Sequence, residues 1–174
     1  MSAAGAPGEV DQALFRKVMG SFATGVTVIL ADAGGELRGM TANAFLSASL
    51  EPPLCVVSVR NDAQMYPHLT AAQAFSVNIL SLAQENLARH FAGRPPASTL
   101  PPLQRQAGIP ALADAAAQLT AGIAATHPCG DHTLFVGRIR WMSANDRPPL
   151  LYHGGRFGAL LPQRADDAPL LEFW

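Results

Sequence analysis

Six short runs of strand length, interrupted by Gly, Pro and Asp, constrain this chain more than any other feature: residues 26–30, 37–45, 54–60, 75–80, 134–142 and 150–153. The first is rich in β-branched residues and runs into Ala33-Gly34-Gly35-Glu36, a hairpin signal. In 134–142, Phe135, Gly137, Ile139 and Trp141 fall on one side at the period of a strand. Glu51-Pro52-Pro53 cannot lie in a central ladder, because proline has no N–H to donate, so the arm from Ser47 to Pro53 reads as a loop. The sum is a mainly β chain, a six-stranded antiparallel barrel with a few flanking helices rather than alternating βα units.

The helices are few. Asp11 caps a segment in which Leu14, Phe15, Val18, Met19 and Phe22 share one face, with Val10 placed to staple onto Phe15. A short helix fits between the third and fourth runs, and residues 84–91 form another, ended by Gly93-Arg94-Pro95-Pro96. Residues 95–110 hold five prolines and read as an irregular excursion over the surface. The alanines of 112–126 favour helix, although the second half of that stretch fits a strand equally well. His127-Pro128-Cys129-Gly130-Asp131 reads as a turn.

A chain of 174 residues fits one domain, taken here as 11–174 after a flexible leader of 1–10. With 49% hydrophobic and only 14% charged residues, it has more apolar surface than a monomer of this size ordinarily buries, which points to an oligomer. A net charge of -1 without a basic block sets nucleic acid aside. The start of the chain has no secretory pattern and no stretch is long enough to span a membrane, so a soluble, cytoplasmic protein is expected. Cys55 and Cys129 lack metal or redox spacing and are expected as reduced thiols.

No G-x-G-x-x-G, Walker-type loop or G-x-S-x-G elbow is present, which excludes a Rossmann or P-loop nucleotide site and gives serine hydrolysis no footing. His127, Cys129, Asp131 and His132 lie close enough to share an ion, but a solvated polar hairpin tip is the plainer reading, and no metal site is assigned. The segment Gly39-Met40-Thr41-Ala42-Asn43-Ala44-Phe45 is the most informative. Its small residues let main-chain N–H groups approach a flat heteroaromatic ligand, and Thr41 and Asn43 can bond to the ligand's edge; ordinary decoration of an edge strand is the alternative. Ser47 with Ser49, and Ser58 with Arg60 and Asn61, have the donors and charge a phosphate needs.

In order and spacing these segments resemble the flavin reductase-like family of FMN-binding split barrels, the reductase partners of two-component flavin monooxygenases. The likeness runs from Phe15-Arg16 and Phe22-Ala23-Thr24-Gly25-Val26-Thr27-Val28, through 39–45, Ser49-Leu50-Glu51-Pro52-Pro53 and Phe75-Ser76-Val77-Asn78-Ile79-Leu80. It continues through Phe91-Ala92-Gly93, Gly130-Asp131-His132, Val136-Gly137-Arg138-Ile139 and Pro149-Leu150-Leu151-Tyr152. The resemblance implies an NAD(P)H-dependent reductase of FMN or FAD, dimeric, that supplies reduced flavin to a monooxygenase. It places Thr41, Ala42 and Asn43 on the isoalloxazine, and Ser47, Ser49, Ser58, Val59 and Arg60 around the ribityl chain and phosphate. Phe91 joins the cofactor site, and His132, Tyr152 and Phe157 border the nicotinamide, with His132 orienting it. It also favours strand for residues 118–126. Hydride transfer requires nicotinamide C4 and flavin N5 face to face at about 3–3.5 Å, a task of positioning rather than acid–base chemistry. The main rival is a non-catalytic flavin- or haem-binding module on the same barrel. A pyridoxine-phosphate oxidase relative would need a basic cluster that 12 Lys and Arg do not form here.

Overall fold

The structure, a computed structural model, describes residues 10–93 and 103–161. Helix α1 (Gln12–Gly20) is followed by strands β1 (Thr24–Gly25), β2 (Thr27–Ala33), β3 (Glu36–Ala42), β4 (Phe45–Ser49) and β5 (Leu54–Arg60). Helix α2 (Met65–Ala72), strand β6 (Ala74–Ile79) and helix α3 (Glu85–Phe91) come next. Strands β7 (Leu103–Gln106), β8 (Ile109–Leu112), β9 (Ala117–Cys129), β10 (His132–Ala144), β11 (Leu151–His153) and β12 (Arg156–Gly158) complete the order.

Seven strands form the main antiparallel sheet in the order β3-β2-β6-β9-β10-β5-β4. Its two edge strands, β3 and β4, are consecutive in the chain and joined only by Asn43 and Ala44. Three Cα–Cα steps reach at most about 11 Å, whereas the edges of a flat seven-stranded sheet would stand roughly 29 Å apart. The sheet must therefore curl until its edges meet. Because β3 and β4 do not pair with each other, the result is a barrel split along one seam, and residues 43 and 44 cross that seam.

Alternation along β2 explains the unbroken apolar run. Ile29 and Ala31 enter a cluster with Val57, Phe75, Val77 and Phe135, closed by Met65 and Leu69 of α2. Val28 and Leu30 point the other way, into a cluster with Leu80, Leu87, Leu112 and Leu150 that seats α3. A strand covered on both faces shows no polar alternation.

The structure corrects four expectations. The main sheet has seven strands rather than six: β9 joins it, the run 150–153 lies in a separate small sheet with β1 and β12, and residues 45–49, of which 47–49 were read as loop, pair with β5 through Phe45↔Val57, Leu46↔Val56 and Ser47↔Cys55. Pro52 and Pro53 follow that strand and restrict only its turn, and an edge strand needs donors on one side alone. Within the stretch read as an irregular excursion, 103–112 is a hairpin, β7 on β8, turning at Ala107 and Gly108, both at positive φ. Such a turn is recognisable in sequence when it carries Asn-Gly, and Ala-Gly hides it. Finally, β9 continues past Thr126 to Cys129, so the turn expected over 127–131 shrinks to Gly130 and Asp131. Pro128 is tolerated there because β9 beyond Gly122 pairs with β10 alone. In 117–122 pairing with both β6 and β10, and in 123–126 pairing with β10, overrides the helix propensity of alanine.

Asp11 caps α1, its carboxylate accepting from the N–H groups of Ala13 and Leu14 at 2.6 and 3.1 Å. The apolar face of α1 is left uncovered among the described residues: Phe15, Val18, Met19 and Phe22 are all exposed. Cys55 is buried and Cys129 exposed, both as free thiols, and burial pushes the Cys55 thiol up to about 11. The leader lies almost wholly outside the described residues.

Candidate functional site

The end of β3 is held rigid from two directions. Thr27 Oγ1 donates to the carbonyl of Ala42 at 2.7 Å from β2, and Thr41 Oγ1 donates to the carbonyl of Ala88 at 2.7 Å in α3. The helix comes this close because residue 39 is glycine: a Cβ there would stand 2.4 Å from the Phe91 ring. Neither hydroxyl proton is free for a ligand, so the two threonines serve to fix the strand end. Asn43 follows, exposed on the seam, with no side-chain hydrogen bond among the described residues.

Thr41, Ala42 and Asn43 form a wall shared by two open cavities. The larger, about 480 Å³, is bounded across from the wall by Tyr152, Arg156 and Phe157 of the β11–β12 hairpin and on a third side by Glu85 and Arg89 of α3. The smaller, about 190 Å³, is completed by Ser58, Val59 and Arg60 of β5 and by His132 of β10. A third hollow of about 380 Å³ reaches from Asn43 along Phe45 and Thr27 to Phe22, just beyond α1. Asn43 thus stands where all three meet.

Apart from Arg156, the charged groups of the two cavities are arranged in pairs. Arg89 Nε donates to Glu85 Oε1 at 3.0 Å, and its guanidinium lies 5.0 Å from the centroid of the Phe157 ring, which meets Tyr152 edge to face. Arg60 pairs with Asp62, and in the β5–β10 register it stands opposite His132. His132 Nδ1 lies 2.7 Å from Asp131 Oδ1, and that hydrogen bond holds the Asp131 carboxyl below its ordinary range. With Nδ1 bonded to Asp131, Nε2 of His132 is left for a ligand.

Several of the residues singled out from sequence therefore converge: Thr41, Ala42, Asn43, Ser58, Val59, Arg60 and His132 on one cavity, and Tyr152 and Phe157 with the same wall on the other. His132 and the Tyr152 to Phe157 segment, expected side by side, line different cavities. Ser47 and Ser49 lie further along β4, opposite Cys55 and Leu54, and line neither cavity. Phe91 packs over Gly39 against the second cluster. Glu85 and Arg89 escaped the sequence reading, because an acid and a base four apart on a helix look like any solvated pair.

A planar ring system fits this arrangement: the wall is built from small residues, and neither cavity is filled by the protein's own side chains. A family model described as a flavin reductase like domain matches residues 19–161. The chain is 42% identical over 168 residues to an NADH-dependent FAD reductase of Streptomyces globisporus, covering 90% of each chain. It is 41% identical over 139 residues to the reductase component of a 4-hydroxyphenylacetate 3-monooxygenase from Thermus thermophilus, covering 79% of this chain and 89% of that one. Its structure is similar to that of a flavin reductase solved in its native state, with a TM-score of 0.85 and 38% identity over 88% of this chain and 100% of the other.

Proposed function

The chain belongs to the family of flavin reductase like domains, and we infer that it is an NADH-dependent flavin reductase that delivers reduced FAD or FMN to a partner monooxygenase. The observation that carries this reading is the wall of Thr41, Ala42 and Asn43 between two open cavities. The larger has room for an isoalloxazine with a second ring against its face. The smaller, with Ser58 and Arg60, suits the ribityl chain and phosphate. The nicotinamide supplies the hydride, and the protein positions the two rings and keeps water out. Small residues bring main-chain N–H groups of 41–43 near the ring edge, where negative charge develops. With NADH as its reductant, the enzyme belongs in the cytoplasm.

Steady-state oxidation of NADH and NADPH, each with riboflavin, FMN and FAD, tests this directly. Acceleration with NADH and flavin is expected, and yellow protein without turnover would favour a binding module. His132 lines the smaller cavity, apart from the ring pair, and takes the phosphate-bearing part of the nicotinamide nucleotide through Nε2. In the same assay His132→Ala is expected to raise KM for NADH about tenfold, the worth of one charge-assisted hydrogen bond, with flavin affinity changed less than twofold. Equal losses in both would move His132 to the flavin phosphate.

The active form is a homodimer joined through α1. Phe22 is 74% exposed, and with Phe15, Val18 and Met19 it presents an apolar face continuous with the hollow that reaches Asn43. Light scattering is expected to give twice the 18.3 kDa chain mass, and a Val18→Glu, Phe22→Glu variant half of that. A variant still dimeric would place the interface elsewhere.

A further inference from the structure

We propose that the Glu85–Arg89 pair sets how tightly the enzyme holds reduced flavin relative to oxidised flavin, with Glu85 acting as the residue that lets the product go. The proposal rests on the reading of the larger cavity as the ring site. Hydride transfer moves two electrons and one proton's mass from neutral dihydronicotinamide to neutral oxidised flavin. The nicotinamide leaves as a cation, and the reduced ring carries one negative charge until it takes up a proton. Any fixed charge lining the cavity therefore acts on product and substrate unequally.

Arg89 is such a charge. It lines the larger cavity beside the wall of residues 41–43, and its position is fixed by the Glu85 carboxylate and by the Phe157 ring beneath it. Left alone, the guanidinium would favour the anionic ring and slow its transfer to a partner. Glu85 also lines the cavity, and its opposite charge cancels most of the field that Arg89 would exert. Both side chains are partly exposed, at 44% and 42%, so solvent moderates the effect. Across the cavity Arg156 has no acidic partner among the described residues, and it lies at the exposed hairpin, where screening is stronger.

The measurement is the ratio of dissociation constants for oxidised and reduced FAD, by anaerobic fluorescence titration before and after reduction with dithionite. Glu85→Gln keeps a hydrogen-bonding side chain but leaves Arg89 uncompensated, and is expected to shift the ratio about fivefold toward the reduced form. Arg89→Met leaves Glu85 unpaired and is expected to shift it about fivefold the other way. The double variant carries neither charge and returns to within twofold of the wild-type ratio, an outcome that a merely structural role would not produce. Single variants that both leave the ratio unchanged, or a double variant displaced as far as the worse single one, would overturn the proposal. Wild-type protein that binds no FAD in either form would instead sink the reading of the cavity itself.

Discussion

Asn78→Leu is expected to cost about 3 kcal/mol of stability and to lower the thermal midpoint by roughly 6–12 °C, although the side chains are similar in size. Asn78 is fully buried, and its amide joins three elements. Nδ2 donates to the Val28 carbonyl and to Ser76 Oγ, both at 3.0 Å, while Oδ1 accepts from the Leu112 N–H at 2.8 Å. Ser76 Oγ donates in turn to the Pro110 carbonyl at 2.6 Å, and Gln118 donates to the carbonyl of Leu112. This network ties the β8 segment to the barrel where no ladder does so. Leucine would leave the Leu112 N–H buried without that acceptor, and such a group costs more than the bond it loses. Asn78→Asp keeps the acceptor but adds a buried charge, and is expected to be at least as damaging. Thermal and urea melts followed by circular dichroism measure both, and a loss below 1 kcal/mol for the leucine variant would show that the segment is held by packing alone.

How much of this was legible in the sequence depends on whether the cause was local. The cap at Asp11, the Gly34-Gly35 turn and the runs of β2, β5, β6 and β10 are set by neighbouring residues, and they stand where periodicity and turn chemistry put them. Strand β4 was not legible, since its partner β5 lies across a proline turn and its own residues alternate weakly. The alanines of β9 favour helix while the stretch as a whole fits a strand equally well, and pairing with β10, and up to Gly122 with β6, decides the conformation. The site divides in the same way. The small residues of 39–45 announced a close approach, but the object approaching Gly39 is Phe91 of the protein itself. Ser47 and Ser49 look equivalent to Ser58 as phosphate donors in a list of residue types. Only the β4–β5 register shows that Ser47 stands three residues along β5 from Ser58. Convergence of Arg89 on Phe157 depends on how α3 and the β11–β12 hairpin pack, which local spacing does not encode.

Arg60→Ala is expected to weaken FMN binding by roughly 10–100-fold while leaving riboflavin affinity within twofold. Riboflavin shares the isoalloxazine and ribityl chain with FMN and lacks only the phosphate, so the comparison isolates the contact assigned to Arg60 in the smaller cavity. The ion pair with Asp62 does not hold the guanidinium back. Both side chains are largely exposed, and such pairs contribute little. Asp62→Asn is therefore expected to leave FMN affinity unchanged or slightly improved. Added salt should weaken FMN binding to the wild type more than to Arg60→Ala, because the variant has lost the charge being screened. His132 stands opposite Arg60 in the β5–β10 register and belongs to the same cavity, but its removal is expected to act on NADH. If Arg60→Ala lowers riboflavin and FMN affinity by the same factor, Arg60 is supporting the wall of residues 41–43 instead of receiving the phosphate.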